Sequence, residues 1–218
     1  MKIEFFKLKR LIIALSIVSG SLFAQTVTPA FEGEIVYANT YKSKNPKLKV
    51  QQLSDMLGAK HNYFIKGGDY KTVTNGIFAQ WQLYINSENK IYNKMASSDT
   101  VFWANAAEHD DEVLNMKMTP NAVTILGYSC DELILTCRSG VQKYYFNSKL
   151  RVDSKLYTKH LYANYYFYVS RTNAIPLKTI IEDVEFTMES VATEIKPKKF
   201  DVSFFRLPAG TKTAKTVY

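Results

Sequence analysis

Three histidines are the residues best suited to hold a metal ion, and their spacing argues against that role. His61, His109 and His160 lie far apart in the chain. A zinc site places histidine or cysteine ligands at short intervals, and no such interval occurs between these three. The sequence therefore predicts no metal site and no cofactor.

The carboxylates that could serve catalysis or cation binding form two short groups. The run from Glu108 to Glu112 is consecutive and contains no glycine, whereas calcium sites need spaced ligands and a glycine at the bend. We interpret this run as a solvated loop. In the second group, Glu182 and Asp183 point to opposite faces of a strand, which does not suit the paired carboxylates of a glycosidase.

A nucleophile is equally hard to find. The sequence has no Gly-x-Ser-x-Gly elbow. Cys130 has no helix N-terminus beside it that would lower the pKa of its thiol. We therefore predict that the chain is not an enzyme.

The most suggestive feature is an aromatic and apolar stripe between residues 153 and 172. Its spacing is close to 3.6 residues and predicts one long amphipathic helix, which Asp153 or Ser154 would cap. The stripe consists of Leu156, His160, Leu161, Tyr165, Tyr168 and Val169. Two interpretations are open: the rings pack as ordinary core, or they line an apolar ligand cavity. Under the second interpretation, Leu161, Tyr165 and Tyr168 are the candidate ligand-binding residues.

The rest of the chain predicts the sheet on which this helix lies. Period-2 alternation and short turns predict antiparallel strands in a single α+β domain. Hairpin turns are expected at Gly67-Gly68-Asp69 and at Asn86-Ser87-Glu88-Asn89. A helix of two or three turns ends at Gly58, and residues 96–112 are expected to form a loop with a turn of helix. The count is about nine or ten strands, one long helix and one short helix.

Both cysteines lie in a stretch that has the composition of a strand. Seven strand steps of about 3.3 Å would place the Cα atoms of Cys130 and Cys137 roughly 20 Å apart. A disulfide needs about 4.4–6.8 Å. Seven is also an odd number, so the two side chains would point to opposite faces of the sheet. We predict no bridge between them.

The N-terminal residues 1–24 have the layout of a secretory signal peptide. Basic residues precede a short apolar run at 11–18, and small residues lead to a predicted cleavage after Ala24. The apolar run is too short to span a membrane, so no membrane span is expected after cleavage. The mature chain, residues 25–218, carries 24 basic and 19 acidic residues, a net charge of +5. Export makes nucleic acid an improbable partner.

Four stretches resemble a family of exported Bacteroidota proteins with no assigned activity. They are Phe31–Ile35, Ile125–Cys130, Ala174–Lys178 and Asp201–Pro208. This family is similar to the GLPGLI-type secreted proteins, although the chain lacks the Gly-Leu-Pro-Gly-Leu-Ile hexapeptide. Both resemble the lipoprotein-carrier (LolA-like) fold. The resemblance implies a curved antiparallel half-barrel with the helices on its concave side, and a location in the periplasm or outside the cell.

These observations favour an exported protein that binds a hydrophobic or lipid-like ligand without catalysis. Its partner would be a hydrophobic small molecule, a lipid or an envelope protein. The alternative is a structural or protein-interaction module with a filled core. An open apolar cavity of a few hundred Å³ would support the first interpretation, and a packed interior would support the second.

Overall fold

The structure is a computed structural model that describes residues 29–108 and 111–216. The predicted signal peptide at 1–24 and His109 lie outside the described residues. The helices are α1 (Val50–Leu57) and α2 (Tyr165–Thr172), and 3-10 helices cover Ser154–Tyr157, Tyr162–Asn164 and Val202–Phe205. The strands are β1 (Gly33–Ser43), β2 (Lys60–Lys66), β3 (Asp69–Thr74), β4 (Ala79–Ile85), β5 (Lys90–Met95), β6 (Val101–Asn105), β7 (Val113–Ile125), β8 (Tyr128–Cys137), β9 (Val141–Arg151), β10 (Ala174–Glu182), β11 (Phe186–Pro197) and β12 (Thr213–Lys215).

The described strands form one sheet in the order β12-β6-β5-β4-β3-β2-β1-β11-β10-β9-β8-β7. It consists of two meanders, β1 to β6 and β7 to β11, which join where β1 pairs antiparallel with β11 from Gly33↔Pro197 to Ser43↔Phe186. The tight β2–β3 turn uses Gly67 with φ +57°, a conformation that glycine adopts without strain. Short hairpin connections of this kind produce an antiparallel sheet, as the sequence predicts.

The sheet is strongly curved. The evidence is that one short segment of the chain contacts strands that lie far apart in the strand order. The backbone N–H of Leu161 donates to the carbonyl of Ala106, just after β6, at 2.7 Å. The side chain of Asn164 donates to the sulfur of Cys137, at the end of β8, at 3.4 Å. In a flat sheet the nine spacings from β6 to β8 would cover about 43 Å, whereas three residues reach at most about 11 Å. The sheet therefore curls around this segment, which lies on its concave face.

The described residues form twelve strands rather than nine or ten, so that prediction is wrong. The main omission is β6, which lies within the predicted loop at 96–112. Its short sequence is flanked by polar residues and gives a weak local signal. Pairing with β5 and burial of Val101 and Ala104 stabilise it as a strand. The three-residue β12, also missed, is too short to show a period and pairs parallel with β6.

The predicted long helix at 153–172 is also wrong. Only Tyr165–Thr172 is α-helical, and two 3-10 turns precede it. Ala163 and Asn164 have φ of +50° and +61°, which no right-handed helix contains. The chain turns here because the N–H groups of Leu161 and Tyr162 both donate to Ala106 instead of to the preceding turn of a helix. Asp153 caps the 3-10 helix Ser154–Tyr157 instead of the predicted long helix, since its carboxylate accepts from the backbone of Lys155 at 3.1 Å.

The sheet carries a hydrophobic core on each face. Period-2 alternation in β4 sends Tyr84 to the concave core and Leu83 and Ile85 to the other. Phe200 and Phe205, from the segment that contains the last 3-10 helix, cover the second core. Burying each such side chain contributes about 1.5–3 kcal/mol. The C-terminal segment thus stabilises the outer face, while α2 and the two 3-10 turns before it cover the inner one.

The two cysteines lie on β8, and each has a free thiol. Both side chains are buried and belong to one core cluster, and β8 pairs with β9 without a register shift from Asp131 to Thr136. The pairing of β7 with β8 shifts between Thr119 and Val123, where β7 has two more residues than β8, a bulge in β7. The backbone N–H of Asn121 in this bulge donates to the carboxylate of Asp131 at 2.8 Å.

Candidate functional site

A cavity of about 130 Å³ lies between α2 and the middle of the concave face. We call it the tyrosine cavity. Its aromatic lining is Tyr37, His61, Tyr63, Tyr144, Tyr165 and Tyr168. Its remaining lining is Ile175, Pro176, Thr179 and Ser190. No Asp, Glu, Lys or Arg is found among these described lining residues, so the cavity suits an uncharged occupant.

Cross-strand pairing brings the lining together from distant parts of the chain. Tyr37 on β1 lies opposite His61 on β2, and their rings stack at 4.6 Å. Thr179 on β10 lies opposite Tyr144 on β9 and Ser190 on β11. Residues that face each other in this way have Cβ atoms about 4.5–5.5 Å apart. The floor of the cavity is therefore built by the sheet register.

Of the predicted ligand-binding residues, Tyr165 and Tyr168 line the cavity and Leu161 does not. Tyr168 is buried, its hydroxyl donates to the carbonyl of Ala174 at 2.8 Å, and its ring stacks on Tyr144 at 4.3 Å. Leu161 lies before the turn at Ala163. Its backbone N–H donates to the carbonyl of Ala106, just after β6. The break in the predicted helix separates it from the two tyrosines.

Tyr165 is held in place by rings on its other side. Its hydroxyl shares a hydrogen bond of 3.2 Å with that of Tyr63, and its ring stacks on Tyr70 at 5.3 Å and on His160 at 4.4 Å. Burial raises the pKa of Tyr165 to about 12. The phenol is therefore neutral at physiological pH. The ring contacts with Tyr70 and His160 fix this part of the cavity wall.

His160 lies at the centre of a filled aromatic cluster beside the cavity. Its Nε2 is 2.7 Å from the hydroxyl of Tyr70, and the rings of Tyr84 and Tyr165 lie within 4.4 Å of it. Burial lowers the pKa of His160 to about 3. With a neutral, enclosed ring, His160 acts as a packing residue rather than as a metal ligand or an acid–base group.

His61 forms the polar part of the cavity wall. Its Nδ1 is 3.0 Å from Oδ1 of Asn39, and Ser190 donates its hydroxyl proton to the same oxygen at 2.7 Å. Burial lowers the pKa of His61 to about 4. A hydrolytic triad needs the histidine between the nucleophile and its orienting group. Here the asparagine lies between serine and histidine, so the arrangement does not activate Ser190.

The carboxylates considered from sequence serve structural contacts. Asp111 accepts from the backbone N–H and the hydroxyl of Ser139 at 3.0 and 2.8 Å. Glu112 pairs with Arg138 at 2.6 Å, and Glu182 with Lys143 at 2.9 Å. In residues 29–108 and 111–216 no group of three or more His, Cys, Asp or Glu side chains could hold a metal ion. No helix in those same ranges is both long and apolar enough to cross a bilayer.

Comparison with known proteins assigns no family. No family model matches the sequence, and no curated protein matches it. An uncharacterised conserved protein from Thermus thermophilus is similar over 85% of this chain and 91% of its own, with 7% identity and a TM-score of 0.44. A LolA superfamily protein from Nitrosomonas europaea is similar over 82% of this chain and 91% of its own, with 10% identity and a TM-score of 0.38. Similarity this distant decides neither family nor activity.

Sequence reasoning missed most of the lining, and it also missed a row of polar residues that meets the cavity at Tyr63. On the strands of the concave face, residues at period 2 change from aromatic to polar: Tyr70 is followed by Thr72 on β3, and Tyr84 is preceded by Gln82 on β4. Tyr63, Thr72, Gln82 and Asn93 are cross-strand neighbours in one row. A register prediction could have found this row, but spacing within one strand could not.

Proposed function

We propose that this chain is an exported, non-enzymatic protein of the LolA-like half-barrel type that binds a hydrophobic or lipid-like ligand in the tyrosine cavity. The observation that carries the proposal is the cavity itself, with uncharged lining inside an otherwise close-packed aromatic core. Native cores contain few spaces larger than a water molecule. The signal-peptide pattern at 1–24 supports a periplasmic or extracellular location.

An energetic argument favours a ligand over a permanently empty space. The cavity opens to the surface, so the rings that line it are not fully buried and forgo part of the roughly 25 cal/mol per Å² that apolar burial contributes. A chain that served only as a filled module would gain that energy by placing larger side chains at positions such as Thr179 and Ser190. A ligand that fills the space recovers it on binding.

The volume limits which part of a ligand can enter. Typical small-molecule sites measure about 300–1,000 Å³, and a 150 Å³ apolar cavity accepts benzene. At about 130 Å³, the tyrosine cavity accommodates one ring or the end of an alkyl chain. We therefore propose that Tyr165 and Tyr168 contact that apolar end, while the rest of the ligand extends out of the cavity.

Calorimetric titration with n-alkanols of increasing length tests the proposal. Each buried methylene contributes about 0.8 kcal/mol, roughly fourfold in affinity. Affinity should rise with chain length and level off near six carbons, the size that a cavity of this volume admits. Thr179→Leu places a larger side chain in the cavity and should weaken binding. Thr187→Leu makes the same exchange on β11 outside the lining and should leave binding unchanged.

Two results would count against the proposal. If wild-type protein bound no alkanol, the alternative of a structural or protein-interaction module would be favoured. If the Thr179→Leu and Thr187→Leu variants bound equally well, the alkanols would be occupying another surface. A third result would support the proposal: an affinity that keeps rising beyond ten carbons would mean that the cavity widens to admit a longer alkyl chain, as lipid binding requires.

A further inference from the structure

A second, more polar space lies beside the tyrosine cavity on the concave face. Its volume is about 280 Å³, and its polar lining is Asn39, His61, Thr72, Thr74, Gln82 and Asn93. We call it the polar groove. His61 lines both spaces, and Ser190 of the cavity is bonded to Asn39 of the groove at 2.7 Å. The two spaces are therefore neighbours that share a wall.

Several groove side chains have hydrogen-bonding atoms left over. Gln82 donates its amide to Oδ1 of Asn93 at 3.0 Å, which leaves Oε1 of Gln82 and Nδ2 of Asn93 without a partner among the described residues. The hydroxyl of Thr72 also makes no hydrogen bond within the described part of the chain. These atoms are not among the fully buried ones that lack a partner, so they face accessible space. No charged residue belongs to the described lining.

The hydrogen bonds around Asn39 fix the tautomer of His61. Nδ2 of Asn39 donates to the carbonyl of Gly58 at 3.0 Å, which orients the amide so that Oδ1 faces the imidazole. Since Oδ1 can only accept, the proton of the neutral His61 ring lies on Nδ1, 3.0 Å away. Nε2 is then an unprotonated acceptor. It has no partner among the described residues and is not fully buried, so it presents its lone pair to open space.

We propose that the tyrosine cavity and the polar groove form one amphipathic ligand site, in which an uncharged head group donates a hydrogen bond to Nε2 of His61. The inference rests on the proposed function, because the apolar end of the same ligand occupies the tyrosine cavity. The head group is a hydroxyl or an amide, since each can donate to Nε2 and also pair with the amides of Gln82 and Asn93. A carboxylate is disfavoured, because no described lining residue supplies a positive charge to offset its desolvation.

Four probes of one ring size separate the contributions of the ring and the head: toluene, benzyl alcohol, benzyl methyl ether and benzoate. Calorimetry on the wild-type protein should show benzyl alcohol binding about fivefold more tightly than benzyl methyl ether, which cannot donate, because one hydrogen bond contributes about 1 kcal/mol. Benzoate should bind most weakly. His61→Phe keeps a ring to stack on Tyr37 and removes the acceptor, so the alcohol and the ether should become equal.

A second comparison tests the groove itself. Benzyl β-glucoside carries several hydroxyls beyond the one that meets His61, so it should bind more tightly than benzyl alcohol. Thr72→Val keeps the shape of the side chain and removes one hydroxyl. This variant should weaken binding of the glucoside severalfold and leave binding of benzyl alcohol unchanged.

The outcomes distinguish the two proposals. Equal affinity of wild-type protein for benzyl alcohol and its methyl ether, with toluene bound, overturns the donor assignment and leaves the cavity proposal standing. Tight binding of benzoate overturns the uncharged head group. If no probe binds, toluene included, the proposed function fails together with this inference. Because the first comparison uses wild-type protein, it is informative even if His61→Phe does not fold.

Discussion

Replacing Tyr168 by alanine removes the side chain that both anchors α2 to the sheet and borders the tyrosine cavity. The tyrosine is 2% exposed, stacks on Tyr144 at 4.3 Å and donates to the carbonyl of Ala174 at 2.8 Å. Deleting a large buried aromatic side chain costs about 3–5 kcal/mol. In a chain of this size, that loss corresponds to a decrease in melting temperature of about 10 °C. Tyr168→Phe keeps the ring and should lose only about 1 kcal/mol.

The same substitution should change which ligands bind. The space left by the ring adjoins a cavity of about 130 Å³, and cores relax only partly around a deletion. The enlarged cavity should therefore prefer longer alkanols than the wild type does. Tyr166→Ala, on the same helix but outside the cavity lining, should leave this chain-length preference unchanged.

Urea unfolding followed by circular dichroism measures the stability loss, and calorimetry on the folded variants measures the chain-length preference. A loss below about 1 kcal/mol for Tyr168→Ala would mean that its ring does not pack between α2 and the sheet. A folded Tyr168→Ala variant with the chain-length preference of the wild type would contradict the position of Tyr168 at the cavity.

Three further predictions follow from particular contacts. Burial lowers the pKa of His61 to about 4 and of His160 to about 3 from an ordinary value of 6.5, so the unfolded chain binds these protons first. The free energy of unfolding should therefore fall from pH 6.5 to about 4, by at most ~1.4 kcal/mol per pH unit for each ring; equal urea midpoints at pH 7 and pH 5 would refute this. Ala163 is exposed with φ +50°, so Ala163→Gly should stabilise the chain by about 0.5–1 kcal/mol, whereas in a continuous helix glycine would destabilise it. Because Cys130 and Cys137 are not bonded, two thiols per chain should react in denaturant without reductant; a count of zero would contradict the described strand.

The meander could be predicted from the sequence because its signals are local. Alternation within each strand and turns such as Gly67-Gly68 need no information from the rest of the chain. The helix break could not be predicted in this way. An aromatic stripe with helical spacing runs through Ala163 and Asn164, and only the distant carbonyl of Ala106 provides the competing hydrogen bonds. Tertiary contacts override local propensity at that point.

The candidate site was only partly predictable for a similar reason. Tyr165 and Tyr168 follow from the spacing on one helix, and both line the cavity. The role of His61 depends on Asn39 and Ser190, which are 22 and 129 positions away in the sequence and meet it only through the sheet register. Composition alone predicts a surface or core-edge histidine there. Its tautomer and its open Nε2 follow from the hydrogen bonds.

Crystals of the wild-type protein soaked in bromobenzene test the central claim most directly, because bromine scatters anomalously and marks the position of the ring. We predict one strong anomalous peak in the tyrosine cavity, between Tyr37, Tyr144 and Tyr168, and its loss in Thr179→Leu crystals. Peaks confined to the outer surface would contradict a hydrophobic ligand site at this position. So would the absence of a peak in crystals whose packing leaves the entrance of the cavity open to solvent.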